Sequence, residues 1–300
     1  MENINSPITR GYTRKIKDIP IGLIKRNIKK QYSFDISDYC KNLSHISILE
    51  CEETGFQFYH PSIKIDEENF YNNIGRKESY YPTERWEFNT ALDYINPEDN
   101  ILEIGSGYGY FLDILAKKHK NYQGIELNEN AIAVVSQKGH PITNTLIQDF
   151  CKINVEKFDV VCFFQVLEHI LDVESFMQSV IKTLKKGGKL IIAVPNNDAD
   201  VIKYDYLISA GNLPPHHAGL WKRNSLINLG KYFGLNISDI KEEPCPKSLV
   251  GYYYNLKVRN KLGILAPIIV LSTRWFAKLL LKRKVNKILG PTILIIFEKP

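Results

Sequence analysis

A chain of 300 residues is long for one compact core and short for two full-sized ones, so one main domain with appendages at both ends is expected. A hydrophobic share of 44% with 24% charged residues excludes wholesale disorder. Five scattered cysteines (Cys40, Cys51, Cys151, Cys162, Cys245), with no C-x-x-C pair, exclude a zinc ribbon or a disulfide framework. The formal charge of +6 is placed locally. No acidic residue lies between Glu243 and Glu298, where Lys257, Arg259, Lys261, Arg274, Lys278, Lys282, Arg283, Lys284 and Lys287 accumulate. The first residues lack the apolar stretch of a signal peptide, and the longest apolar run, 262–271, is about half of the ~20 residues that span a bilayer. Reduced thiols and a cytoplasmic location are expected.

Residues 1–35, polar and basic with weak periodicity, read as an arm. Within 36–75, ISILECEETGFQFYHPSI sets short β-like runs around a Thr54-Gly55 turn and predicts a hairpin module. From Tyr81 the pattern turns helical: Pro82 and Thr83 open it, Trp86, Ala91, Leu92 and Ile95 share a side, and Asn96-Pro97 stops it. Strands at 100–104, 122–127, 141–148, 158–164 and 189–194 then alternate with helices at 110–118, 129–138 and 173–184. The last of these helices is expected to end on the left-handed glycines of Lys185-Lys186-Gly187-Gly188. A helix at 224–232 and strands at 235–240 and 292–297 follow. Continuous apolar strands in a βαβ rhythm predict an α/β fold with a parallel sheet covered on both faces. The expected domains are 1–80 (arm and hairpin module), 81–246 with 291–300 (main domain) and 247–290 (basic amphipathic helical insert).

The strand ILEI runs into Gly105-Ser106-Gly107-Tyr108-Gly109 and then a helix, a turn whose glycines let backbone approach a ligand. Dinucleotide enzymes space this loop G-x-G-x-x-G around a pyrophosphate. Here it is G-x-G-x-G, preceded by Glu103, which would repel a pyrophosphate and suits a ligand carrying an ammonium group. Glu126 ends the next strand near the ~20-residue spacing at which an acid grips ribose hydroxyls. Asp149-Phe150 is expected to end the third strand, with the carboxylate accepting an adenine amino group and the ring beside the base. Singly, Glu126 and Asp149 could be helix-cap carboxylates. Their order along the chain favours a site.

Taken together, LEIGSGYG, GIELN, QDF, FDVVCFFQVLEHI and LKKGGKLIIAVPNND resemble the class I S-adenosylmethionine-dependent methyltransferases. Within them, the resemblance is to the bacterial group that shares the LEH element with ubiquinone-pathway O-methyltransferases. CEETGFQFYHP and FYNNIGRKESYYPTERWE upstream and NLPPHHAGLWKRNSL downstream extend it over roughly residues 40–245, and ILIIFEKP resembles the final antiparallel strand of that fold. The resemblance implies a Rossmann-like seven-stranded sheet and S-adenosyl-L-methionine as cofactor. It implies Glu103, Gly105, Gly107 and Gly109 at the methionine end, Glu126 with Leu127 at the ribose, Asp149 and Phe150 at the adenine, and Gln165 beside the sulfonium.

Transfer from a sulfonium is an in-line displacement, so the protein must chiefly align the nucleophile. An oxygen nucleophile of high pKa also needs a base or a metal, and the candidates are Glu168, His169, His216 and His217. The structural alternatives are that His169 packs under the sheet and that the histidine pair shapes the loop after Pro214-Pro215. Some ubiquinone-pathway enzymes hold Mg²⁺ through E-x-x-E-H; here Gln165 replaces the first carboxylate, hard ions prefer carboxylate oxygen, and no metal is expected.

The expected function is O-methylation of a small polar acceptor, such as a sugar hydroxyl of a surface glycan or its precursor. The alternatives are a quinone-like phenol, the 2′-hydroxyl of an RNA ribose, or a non-catalytic cofactor- or glycan-binding module. The intact glycine loop with Glu126 and Asp149 argues against the last. A small-molecule or carbohydrate partner is expected and nucleic acid is not. The basic stretch 256–289, with Trp275 and Phe276, reads either as a lid or interfacial helix against acidic lipid headgroups at the inner face of the membrane, or as a helix pair packed on the core or on a second subunit. Pro267 and Arg274 interrupt its apolar face and favour packing.

Overall fold

The computed structural model describes residues 4–66, 70, 85–205, 210–262 and 288–300. The helix opening at Pro82 and the basic stretch 263–287 lie outside the described residues. Among the described residues, no helix is long and apolar enough to cross a membrane.

Near the N-terminus, Thr13–Pro20 (β1), His45–Cys51 (β2) and Gln57–His60 (β3) form an antiparallel ladder, with Thr54 and Gly55 in the β2–β3 turn. Between β1 and β2 lies the helix Ile21–Tyr32 (α1), which buries Ile21, Ile24, Ile28 and Tyr32. These four recur at helical spacing among lysines, so one face is apolar and docks on the sheet. Where an arm was expected, each of these buried side chains contributes about 1.5–3 kcal/mol and the segment is packed.

The helix Trp86–Leu92 (α2) leads into the main domain: Ile101–Ile104 (β4), Tyr110–Leu115 (α3), Tyr122–Glu126 (β5), Glu129–Gln137 (α4), Ile142–Asn144 (β6) and Ile147–Ile153 (α5). Phe158–Phe164 (β7), Val173–Thr183 (α6), Leu184–Pro195 (β8), Asp200–Asp205 (α7) and Gly219–Leu220 (β9) follow. Arg223–Tyr232 (α8), Asn236–Pro244 (β10), Val250–Leu262 (α9) and Leu289–Glu298 (β11) complete it. The main sheet has the order β10-β11-β8-β7-β4-β5-β6; β6, β5, β4, β7 and β8 are parallel, and β11 runs antiparallel to both neighbours. Alternate residues feed two cores: Leu102, Val161, Phe163, Leu190 and Ile192 on one face, Ile101, Val160, Cys162, Ile191 and Ala193 on the other. That two-sided burial is why these strands read as unbroken apolar runs.

The chain winds from β4 outward to β6, crosses back to β7 and then winds the other way. Loops leaving β4 and β7 therefore diverge, and a crevice opens at their carboxyl ends.

Several boundaries differ from the sequence expectation, and three of them change how the chain is read. β6 stops at Asn144 and a helical turn begins at Ile147, so Asp149 and Phe150 lie within α5 instead of ending a strand. α3 stops at Leu115. α6 ends at Thr183 with Leu184 already extended (φ −82°, ψ 133°), so Lys185-Lys186-Gly187-Gly188 belongs to β8. There Gly187, at φ +70°, turns the strand and donates its N–H to the Lys299 carbonyl at 2.7 Å, which ties β8 to the C-terminus rather than ending the helix. The hairpin module also has a fourth strand that its own sequence does not contain. β9 pairs antiparallel with β3, Leu220 opposite Gln57 and Gly219 opposite Phe58.

Candidate active site

The crevice between β4 and β7 is a cavity of about 740 Å³, a size suited to a small-molecule site. Its first wall is the turn after β4. Gly105, Gly107 and Gly109 all have positive φ (+72°, +52°, +75°), and a Cβ on Gly105 would lie 2.6 Å from Val166 Cγ2, so only glycine passes there. Glu126, ending β5, fastens the turn: Gly107 N–H donates to its Oε2 at 2.8 Å, while the N–H groups of Leu127 and Asn128 donate to Oε1 at 2.8 and 2.9 Å. A carboxylate accepts about four hydrogen bonds, so this one keeps capacity for a ligand. Leu127 lines the cavity beside it.

Glu103 also lines the cavity, is 3% exposed, and has no hydrogen-bond partner for Oε2 among the described residues. Burial, and then the nearby Glu126, raise its pKa well above the usual carboxylate range. Gln165, at the end of β7, is the one non-glycine residue of the wall held at positive φ (+57°), with its N–H on the Ala193 carbonyl at 2.8 Å and its amide donating to Glu87 Oε1 at 3.4 Å. Such a conformation costs about 1–3 kcal/mol and survives where neighbouring ladders over-determine it.

The expected adenine pair is not in the cavity wall. Asp149 faces solvent on α5, 61% of its side chain exposed, and pairs with Lys152. Phe150 is buried in the core, stacked on Phe158. Thr145, Leu146, Ile147 and Gln148 line the cavity instead, and Gln148 Oε1 is buried without a hydrogen-bond partner among the described residues. The physical reason is the early end of β6, which turns the cavity-facing positions one residue back along the chain.

The second wall holds all four proposed catalytic residues. Glu168 and His169 sit in the 3-10 turn Leu167–His169 after β7, and His216 and His217 come from the loop before β9. One ring nitrogen from each of His169, His216 and His217 lies within 4.8 Å of the others. Ring centroids are 5.0 Å apart from His169 to either partner and 4.6 Å between the stacked His216 and His217. The Nδ1–H of His169 donates to the His216 carbonyl at 2.6 Å, and that of His216 to the Gly211 carbonyl at 2.7 Å.

His217 Nδ1 meets Asn212 Oδ1 at 3.1 Å, and the direction follows from a relay. Asn197 donates to the Pro195 and Trp221 carbonyls, so its oxygen accepts from Asn212 Nδ2 at 2.8 Å, which leaves Asn212 Oδ1 to accept from His217. Each of the three rings thus donates from Nδ1. Burial lowers the pKa of His169 to about 4 and of His216 to about 3, and that of His217 well below its usual value, so the rings are neutral near pH 7. Glu168 is 1% exposed, has no hydrogen-bond partner for either carboxyl oxygen among the described residues, and is pushed by burial up to about 8.

Residues that the sequence did not single out hold this wall. Tyr59 O–H donates to the Asn212 carbonyl at 2.6 Å, and Ala218 N–H donates to the Glu168 carbonyl at 2.7 Å. Gly219 lets Phe56 pass beneath the loop, since a Cβ there would lie 2.2 Å from its ring.

A family model described as a methyltransferase domain matches residues 80–239, more than half of the 300-residue chain. The chain belongs to that family. It is an S-adenosylmethionine-dependent methyltransferase. The ubiquinone biosynthesis O-methyltransferase of Glaesserella parasuis is 27% identical over 192 residues, covering 56% of this chain and 77% of that protein. The protein of the same name from Pseudomonas aeruginosa strain UCBPP-PA14 is 24% identical over 164 residues, covering 47% and 69%. Among solved structures, a SAM-dependent methyltransferase from Archaeoglobus fulgidus superposes with a TM-score of 0.54 at 18% identity, over 76% of this chain and all (100%) of that one, which bears on the fold. The first wall of the methyltransferase fits its cofactor: Glu103, whose Oε2 has no hydrogen-bond partner among the described residues, suits the ammonium group, the glycine turn leaves room for the chain, and Glu126 retains acceptor capacity.

Proposed function

We propose that the methyltransferase transfers the methyl group to a hydroxyl of a small polar acceptor, with a sugar hydroxyl as the first candidate. The observation that carries this reading is the sharing of one cavity by the glycine wall and by three neutral imidazoles with a buried carboxyl. Bound S-adenosylmethionine supplies an electrophilic methyl carbon. What remains for the chain is to hold an oxygen in line and accept its proton as the new C–O bond forms, the role we assign to Nε2 of His217. Gln148 takes the place expected of Asp149, its buried amide oxygen accepting from the adenine amino group. Relatives named for ubiquinone biosynthesis support oxygen as the accepting atom and favour a quinone-like phenol as the second reading.

The test is label transfer from methyl-labelled cofactor into a panel of sugar nucleotides, glycan fragments and catechols. Labelled sugar ethers support the first reading, and label in catechols alone replaces it with the second. Label found only on nitrogen or carbon acceptors would refute both.

A further inference from the structure

We propose that Asn212, itself steadied by Asn197, is the positioning residue that keeps His217 in the tautomer whose Nε2 can take the acceptor's proton. The inference rests on the hydroxyl reading above, with His217 as its base. The three rings of the wall are held in different ways. His169 donates from Nδ1 to the His216 carbonyl and His216 to the Gly211 carbonyl, so main chain fixes that side of both rings. Of these three Nδ1 bonds, only that of His217 ends on a side chain, Asn212 Oδ1 at 3.1 Å. A backbone carbonyl can only accept. A side-chain amide can turn end for end at almost unchanged volume and present its NH₂ group instead. Nδ1 would then have to accept, and the proton of the neutral ring would sit on Nε2, where it blocks the uptake of another.

Two successive amides prevent that turn. Asn212 Nδ2 donates to Asn197 Oδ1 at 2.8 Å. Asn197 cannot turn in its own place, because its Nδ2 lies 3.3 Å from the Pro195 carbonyl and 3.1 Å from the Trp221 carbonyl, and its backbone N–H donates to the latter at 3.0 Å. The Asn212 carbonyl accepts from Tyr59 O–H at 2.6 Å, which fixes the main chain that carries the amide. Asn212 is 8% exposed, so solvent is a poor substitute for these partners. Two carbonyls, one at the end of β8 and one just past β9, thus decide which nitrogen of a cavity-lining ring bears the proton.

The arrangement serves both states of the ring. As the acceptor oxygen bonds to the methyl carbon and the carbon–sulfur bond breaks, the hydroxyl proton passes to Nε2. The positive charge that leaves the sulfur ends on the imidazolium. Asn212 Oδ1 accepts from Nδ1 before and after that step, so the ring need not turn during transfer. Holding a base by a hydrogen bond on its far nitrogen is the part that an orienting group plays wherever a histidine must present one fixed tautomer.

Nitrogen NMR of full-length protein labelled in its histidine rings reports the tautomer directly, with His217→Gln identifying the signal. Wild type should show the Nδ1–H form. Asn212→Leu, which keeps the ring and removes its acceptor, should show the Nε2–H form or a mixture. Turnover is read on the panel member that takes label fastest, and cofactor affinity by calorimetry. Asn212→Leu should lower kcat at least about tenfold, towards the about 10²–10⁴-fold that a general base contributes, with cofactor affinity within about twofold of wild type. Asn212→Asp, whose carboxyl still accepts from Nδ1, should restore the Nδ1–H signal and most of the lost rate, which a packing role alone would not do. An Nε2–H signal in wild type, wild-type kcat in Asn212→Leu, or equal losses in the Leu and Asp variants would overturn the proposal. Should Asn212→Leu fail to bind cofactor, Asn197→Leu decides: it should mix the tautomers and lower kcat, and no change in either rejects the proposal. Label found only on nitrogen or carbon acceptors would refute the hydroxyl reading and with it the uptake of a hydroxyl proton, while the NMR signals would still report separately whether Asn212 holds the ring.

Discussion

The two walls of the cavity are built in opposite ways. The glycine wall is local: its turn follows one strand, and the bond that fastens it, Gly107 to Glu126, spans 19 residues. The histidine wall is assembled from distant pieces. Its His169–His216 bond spans 47 residues, and the Tyr59–Asn212 bond that steadies it spans 153. A wall made within βα turns can bind a cofactor common to many relatives, because its geometry travels with the sheet. A wall stitched from the β7 turn, a late loop and the small sheet can change without disturbing the first, and the proposed function places acceptor choice there.

If the division is real, variants should split cleanly between binding and turnover. The largest effect is expected at the histidine wall. His217→Ala should slow turnover by about 10²–10⁴-fold while S-adenosylmethionine affinity, read by calorimetry, stays within about twofold. Loss of both together would mean the walls are one structural unit. Next is Glu126→Ala, where hydrogen bonds to a charged group contribute roughly 1.5–3 kcal/mol each, so cofactor affinity should fall at least about tenfold with the fold retained. An unchanged dissociation constant would remove Glu126 from the cofactor wall.

A smaller effect sharpens the electrostatics of the first wall. Glu103 has a folded pKa raised above its usual value, so its protonated form stabilises the cofactor-free protein fully below about pH 4.5, and that contribution is lost as pH rises through the raised value. Each pH unit over which folded and unfolded chains differ by one proton is worth about 1.4 kcal/mol, or about 2–4 °C in Tm for a domain of this size. Glu103→Gln should therefore gain in Tm on wild type as pH rises above about 4.5. Parallel melting curves for the two proteins would contradict the assignment. The smallest effect is expected at Asp149, where Ala should leave cofactor affinity within about twofold; Gln148→Ala should weaken it by about 1 kcal/mol or more. The reverse ranking would restore Asp149 to the adenine.

The seven-stranded sheet was legible because its signals are periodic and short-range: ILEI, VVCFF and LIIAV announce strands buried on both sides, and G-x-G-x-G announces the turn. Glu103, Glu126 and Gln165 line the cavity for the same reason, each standing at or beside the end of a strand. Asp149 was misplaced because β6 is three residues long and nothing in TLIQDF marks where strand gives way to helix. Gln148 carried no signal, being a neutral amide beside a conspicuous acid. The apolar spacing of Ile21, Ile24, Ile28 and Tyr32 was present in the first 35 residues but was masked by the surrounding lysines. His216 and His217 were recognisable as a pair, yet their approach to His169 depends on Tyr59, Asn212 and the β3–β9 pairing, none of which sequence spacing can express.

That pairing also sets a schedule for synthesis. β3 leaves the ribosome early, but its partner Gly219–Leu220 lies some 160 residues later, so at about 5–20 residues per second its free edge stays open for roughly 8–30 s. An unpaired strand edge is a template for wrong partners, including the same edge on a neighbouring nascent chain. Gln57 and His60, polar residues at the two ends of β3, bracket the aromatic pair Phe58 and Tyr59 during that interval. Closure of the histidine wall thus waits for the last strand of the small sheet, and slow translation between residues 60 and 219 would prolong the interval in which the β3 edge is open.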